Sequence, residues 1–485
     1  MQTFGVSITK SSSGITKMEA KKIFVLLPDG VGLRNFVYSN FNNHGIAQNF
    51  DIVYWNFTPI NLSKFGYKEI RQSNLKLHPL TDIYKNARKH IELNLNIKKT
   101  NDTIYDSYRF HLQYKNLKSI VKNTFVKFLV TLYSSESGLK NVRRRLRSNE
   151  RKTLHYSQCY KTLKDEMPAI VFCTNQRHAT AIAPLLAASD LGIKTATVIF
   201  SWDNLPKATM VVETDYYFVW SDLMKDELLF YYPYISADKV LVAGTPQFET
   251  HYQPDLQQSR EQFFSEHHLD LAKKYICFSG DDITTSPDDP QYLRDTAEIV
   301  KKLNNEGYQL GIIFRRCPVD FSDRYDRVVQ DYDDIITEVR PKWQVMGNSW
   351  SDVLPMPEDV ALLTNVIAHT ELVINLGSSM VFDYAAMGKP CGYLNYNQEK
   401  QAREGWDIHK CYDYVHFRSM TSPNCVAWIN SYNEIEVQIK KMLADSESQC
   451  ADAKLWFDKI NMQPQQMASA RIWRGISEIL SQKDA

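Results

Sequence analysis

Short apolar runs separated by longer amphipathic ones set the rhythm of most of the chain. Residues 23–27, 51–57, 169–173, 195–200, 216–220 and 239–243 are compact runs rich in apolar and β-branched side chains, of the length of buried strands. Helical periodicity fills gaps between them, as at 179–191 and at 223–230, where Ser221 is placed to cap the helix. The alternation resumes with strands at 275–278, 310–314, 372–374 and 392–396 and helices at 291–303, 359–369 and 380–387. Strand and helix in succession predict parallel sheets covered on both faces, with the loops that leave the strand carboxyl ends gathered on one rim, where open α/β sheets bind ligands. In the first half that rim should bring Asp29, Asn175, Arg177, His178, Asp203 and Thr245 to one crevice.

Two stretches interrupt the rhythm. Residues 62–165 change to long helical periodicity with few glycines and read as a helical insertion. Residues 251–273 are polar and helical and read as a bridge. A chain of 485 residues exceeds what one core serves. The predicted fold is therefore α/β, with two Rossmann-like domains facing across a cleft. The expected boundaries are a disordered lead-in at 1–20, a first domain at 21–250 carrying the insertion, a linker at 251–273, a second domain at 274–445 and C-terminal helices at 446–485 that pack back on the first domain.

The most informative stretch is 371–396, ELVINLGSSMVFDYAAMGKPCGYLNY. Leu372, Val373 and Ile374 form a strand, Gly377, Ser378 and Ser379 end it, and the helix that follows closes at Gly388 with Pro390 beyond. A strand, a small polar turn and a helix start make an anion site, because backbone amides there point outward and the helix dipole favours negative charge. Asp383, one turn into the helix, is placed to accept a bond from a sugar hydroxyl. The plainer alternative is an ordinary crossover with a serine cap. The first domain opens with Pro28-Asp29-Gly30-Val31-Gly32, a tight turn lacking the third glycine of a dinucleotide fingerprint. The second opens with Ser279-Gly280-Asp281-Asp282.

Composition narrows the partners. A net charge of +1 gives no global pull on nucleic acid. Eight scattered cysteines without a CxxC pair fit a reducing, cytoplasmic setting and no zinc module, and no apolar run approaches the roughly 20 residues of a membrane span. His178 and His416 stand alone, without a second ligand at metal spacing, and read as cleft or core residues, so no metal is expected. The stretch 140–152 carries Lys140, Arg143, Arg144, Arg145, Arg147, Arg151 and Lys152 against Glu150 alone, beside apolar 120–133. It reads either as a solvated helix face or as a peripheral contact with the inner face of an anionic membrane.

The loops taken together resemble a family. Asn375-Leu376-Gly377-Ser378-Ser379-Met380-Val381-Phe382-Asp383-Tyr384, followed by Gly388-Lys389-Pro390, resembles the motif of bacterial CDP-glycerol glycerophosphotransferases, and more broadly the chain resembles GT-B glycosyltransferases of the surface-polysaccharide type. In layout that group also resembles UDP-N-acetylglucosamine 2-epimerases. Two departures stand out. Trp202-Asp203-Asn204 occupies the place of the family's Trp-His-Gly, and Arg315-Arg316-Cys317-Pro318 that of its Arg-x-His-Pro, so the glycerophosphate reaction does not transfer directly.

The resemblance implies a nucleotide-sugar donor, a saccharide or lipid-linked acceptor, and no cofactor. Gly377, Ser378, Ser379, Asp383, Gly280 and an arginine from Arg315 and Arg316 would hold the donor without a metal, and Asp203 or Asp29 would take the acceptor's proton. Gly30, Arg177, His178, Trp202, Asn204 and Thr245 would line the acceptor side. Against these roles, each aspartate could serve its own turn and the two arginines could be a structural ion pair. The Asp331-Tyr332-Asp333-Asp334 run contains the D-x-D that metal-dependent transferases of another fold use, but in a connecting stretch it reads as a solvated acidic loop. Competing expectations are an epimerase-type isomerase, a polyol-phosphate transferase and a non-catalytic binding protein on the same fold.

Overall fold

A computed structural model describes residues 20–482 apart from 74, 110, 111, 113 and 348–352. The expected lead-in thus lies outside the described residues but for Ala20. The first sheet has seven strands, β1 (Lys21–Leu27), β2 (Phe50–Asn56), β3 (Glu69–Arg71), β4 (Ile170–Cys173), β5 (Lys194–Val198), β6 (Tyr216–Val219) and β7 (Val240–Val242), in the order 3-2-1-4-5-6-7. Every pairing is parallel, with Ile23 opposite Ile52 on one side and Ile170 on the other. Ile23 to Leu27 are fully buried, as a central strand covered on both faces requires.

The second sheet is also all parallel. It contains β8 (Lys274–Ser279), β9 (Leu310–Arg315), β10 (Ile336–Glu338), β13 (Val373–Asn375), β14 (Cys391–Leu394) and β15 (Ala427–Ile429), in the order 10-9-8-13-14-15. Between them β11 (Trp343–Val345) and β12 (Val353–Pro355) form a small antiparallel ribbon. Each large sheet reverses direction of growth once, between β1 and β4 in the first and between β8 and β13 in the second. A crevice opens where the order reverses, so the loops after β1 and β4 and those after β8 and β13 lie at the two ligand-competent positions.

Several contacts bring the two halves together. Leu354 of the ribbon is buried against Gly30, where an added Cβ would lie 1.9 Å from its Cδ2. Trp202 packs edge-on against Phe382 and Trp456, at 5.0 and 5.7 Å between rings. His251 Nε2 lies 2.8 Å from Asp383 Oδ1. The final helix, Ala468–Ser481, returns to the first sheet, with Ile472, Trp473, Ile476 and Ile479 fully buried among its strands. Residues 251–273 are more than a polar bridge, since Phe263 and Phe264 of the helix Arg260–Glu266 are fully buried.

Candidate functional site

A cleft of about 920 Å³ lies between the two halves. From the first half it is lined by Arg177 after β4 and by Phe200, Ser201, Asp203, Asn204 and Lys207 after β5, and from the second by Leu376 and Gly377 after β13 and by Thr284 and Thr285 after β8. The helical insertion closes one side with Lys89, Tyr108 and Arg109, and residues between Arg403 and Phe417 close the other. Tyr108 stacks on Tyr414 at 5.3 Å, and Val415 N donates to Tyr108 Oη at 2.9 Å. Asp102 pairs with Arg418 at 2.5 Å, so the insertion is fastened to the second domain at the rim. A smaller lobe of about 210 Å³ adjoins this cleft, with Lys89, Arg177 and Thr209 lining both.

The floor is cationic. Burial, and after it the charges of Arg177, Lys207 and Lys85, push the Lys89 ammonium down to about 8. Like charges gathered at one wall raise the affinity for an anion, and a diphosphate is the matching group. Asp203 is bound within this wall: Lys207 Nζ forms an ion pair with it, and Ser201 Oγ and Asn204 Nδ2 donate to it at 2.6 and 2.8 Å. Burial alone would raise its carboxyl, but Lys207, His416 and these hydrogen bonds hold it well below the usual carboxylate range. A carboxylate held that low is a poor proton acceptor, so the geometry gives Asp203 a charge-partner role in place of the expected base.

Asp29 differs. It accepts from Asn175 Nδ2 at 2.7 Å and from Val31 N at 3.3 Å, and burial raises its carboxyl against the pull of His178, Asn175 and Arg177. It is not among the cleft-lining side chains. His416 also lines the cleft, and its imidazole is neutral at pH 7 and so able to accept a proton. Burial lowers its imidazole to about 4 despite the opposing charge of Asp203, and its Nδ1 is buried without a hydrogen-bond partner. Trp202 at 4.7 Å and Tyr414 at 5.7 Å hold the ring.

Other expected site residues have structural work. Arg315 is buried and donates through Nη2 to both oxygens of Asp359, at 3.0 and 2.9 Å, and Arg316 pairs with Glu338 and with Asp326 at 2.6 Å. The phosphate role expected of this pair is therefore not supported; both hold the loop after β9 to its neighbours. Asp383 is buried against His251, with Arg34 3.9 Å away, and joins the domains where a sugar contact was expected. Trp202 is core, and Thr245 caps the turn Pro246–Tyr252 with its amide donating to Asn461. Gly30 serves the close approach of Leu354, and Gly280 leaves room for Tyr325 Oη, 3.0 Å from where a Cβ would stand.

At the turn after β13, Gly377 lines the cleft at φ +62, a left-handed conformation that suits glycine. The amide of Ser378 donates to Asn375 Oδ1 at 2.9 Å, and Ser379 makes no side-chain cap. The anion site read from the two serines thus has one donor fewer than expected. Arg177 and Asn204 line the crevice, whereas His178 is not among its lining residues and its Nδ1 lies 2.7 Å from Thr180 Oγ1. Lys89, Arg109 and Lys207 were missed by sequence reasoning, since no motif distinguishes them from ordinary basic positions. Among the described residues no cluster of three or more His, Cys, Asp or Glu could hold a metal ion.

Two parallel Rossmann-like sheets facing across a cleft at their switch points define a GT-B fold, and comparison with solved structures agrees. The S. aureus MnaA–UDP co-structure superposes with a TM-score of 0.52 at 14% identity, over 96% of this chain and 99% of that one. A UDP-GlcNAc 2-epimerase from Methanocaldococcus jannaschii gives 0.50 at 13% identity, over 94% and 99%, and a glycosyltransferase from Rickettsia africae 0.50 at 10%, over 96% and 100%. At these identities the likeness establishes the fold. No protein-family model and no curated protein matches the chain.

Proposed function

We propose that this protein is a glycosyltransferase that moves a sugar from a nucleotide-sugar donor to a hydroxyl of a surface-polysaccharide or lipid-linked acceptor. The observation that carries the reading is the two-lobed cleft, in which a large lobe and a small one meet at Lys89, Arg177 and Thr209. Two substrates need two adjoining spaces, whereas an isomerase acting on the donor alone needs one. The donor's diphosphate would lie against Lys89, Arg177 and Lys207, beside the bare backbone of Gly377. The acceptor oxygen would attack the anomeric carbon as the bond to the diphosphate breaks, the leaving group would depart with the bonding electrons, and neutral His416 would take the acceptor's proton.

The test is nuclear magnetic resonance of the purified chain with UDP-, GDP-, CMP- and CDP-linked sugars. The reading predicts one donor that stays intact as the same sugar without acceptor, apart from slow hydrolysis, and is consumed when an acceptor is supplied. Conversion of the free donor to a C2 epimer would assign the isomerase instead. No binding or turnover of any donor would leave the fold as that of a non-catalytic protein.

A further inference from the structure

The helix Leu117–Tyr133 buries one face and leaves the other bare. Asn123, Val126 and Leu129 turn inward as the helix packs on Thr81–Thr100 and Glu136–Glu150. On the opposite face Leu117, Ile120, Val121, Phe125, Phe128 and Leu132 are exposed, Leu117 by 77% and Val121 by 63%. At helical spacing these six fall on one stripe about 140° wide. Single exposed apolar residues need no explanation, but a contiguous row marks an interaction surface. The segment's own charge has one sign: residues 107–135 contain no Asp or Glu, and Lys115, Lys118 and Lys127 are exposed, while Lys122 pairs with Asp82 of the neighbouring helix.

We propose that this helix is a peripheral anchor that lies in the plane of an anionic lipid bilayer, its apolar stripe at the acyl boundary and its lysines among the head groups. No helix among the described residues is long and apolar enough to cross a membrane. The lysines also argue against a second copy of the chain as occupant, because a twofold contact would set the same cations against one another. In the stretch 140–152, read from sequence as either a solvated face or such a contact, Arg143 and Arg147 pair with Glu213 and Arg151 pairs with Asp190, while Lys140, Arg144, Arg145 and Lys152 are exposed. The anchor packs on the helix Thr81–Thr100, which carries Lys85 and Lys89 to the smaller lobe of the cleft. A lipid-linked substrate would therefore be presented one helix away from it. This inference goes beyond the nucleotide-sugar reading and does not require it.

Flotation of the full chain with vesicles tests it. The unmodified protein should float with vesicles of phosphatidylcholine containing about a third phosphatidylglycerol, and at least tenfold less with phosphatidylcholine alone. The double variant Val121→Asp with Phe128→Asp should lose about tenfold or more of that binding while unfolding at the same temperature as the parent, since both side chains are solvent-exposed. Leu117→Asp, at the most exposed position, is a second variant should the double one be unstable. Equal flotation of the folded variants, or no flotation of the unmodified protein, would overturn the proposal. So would a dimer that the variants dissociate in the absence of vesicle binding, which would assign the stripe to a second copy.

Discussion

Replacing His416 by Asn removes the cleft-lining imidazole and provides a test with three linked readouts. Its imidazole is lowered from the ordinary 6.5 to about 4, so at neutral pH it is almost wholly in the form that accepts a proton. Loss of a positioned general base costs about 10²–10⁴ in rate, or roughly 3–5 kcal/mol of barrier. Donor turnover, followed as release of nucleoside diphosphate, should be flat in the parent from about pH 7 to about 5, should fall as pH drops through about 4, where the ring protonates, and should fall again as pH rises through about 8, where Lys89 loses its charge. The same shift bears on stability. Between the ordinary value and the lowered one the unfolded chain binds a proton that the folded chain refuses, so stability is complete above 6.5 and is lost on going down towards 4, by about 3 kcal/mol in all. The Asn variant lacks this contribution, so its stability deficit relative to the parent should narrow as pH falls. A folded variant with a rate within about threefold of the parent, or an acid limb near 6.5, would refute the assignment.

Four further outcomes follow from the same contacts. Lys89→Ala and Arg177→Ala should each weaken nucleoside diphosphate binding by about tenfold, with a loss of salt dependence seen by calorimetric titration at low and high ionic strength. Lys207→Ala leaves the half-buried Asp203 without its cation; because the two side chains are one-third and one-fifth exposed, a loss of about 1–2 kcal/mol in urea unfolding is expected, less than for a fully buried pair. Arg315→Ala strands Asp359 and should cost about 3–5 kcal/mol while leaving the diphosphate affinity of the folded fraction unchanged. Gly30→Ala drives a Cβ into Leu354 and should lower the unfolding temperature and loosen domain closure, seen as faster amide exchange in β12.

The long strands were legible because each is a contiguous apolar run, and a central parallel strand needs little else. β7 and β13 span only three residues but sit in contiguous apolar runs; β3, β10, β11, β12 and β15 were not legible, since each is a three-residue strand at a sheet edge or in the small ribbon and gains its place from its neighbours. Loops after the strands were placed on the correct rim by the same rhythm, which put Arg177, Asp203 and Gly377 in the cleft. Their partners were hidden: Arg315 next to Asp359 and Asp383 next to His251 are pairs separated by 44 and 132 residues, and only the folded chain shows that these side chains are already spoken for. His416 was an isolated histidine in sequence. Its value comes from Asp203, Trp202 and Tyr414, which the fold assembles around it. Lys389, in the Gly-Lys-Pro run, proved to cap the end of the helix Pro357–His369, donating to the carbonyls of Ile367, Ala368 and Thr370.

The central claim is that the cationic wall of the cleft holds the diphosphate of a nucleotide sugar. Calorimetric titration of the purified chain with a nucleoside, its monophosphate and its diphosphate, for uridine, guanosine and cytidine, tests this most directly. For at least one base the account predicts affinity rising by about tenfold or more from monophosphate to diphosphate, and most of that gain vanishing in Lys89→Ala with Arg177→Ala. Equal affinity for mono- and diphosphate, or a gain that survives the double substitution, would contradict it.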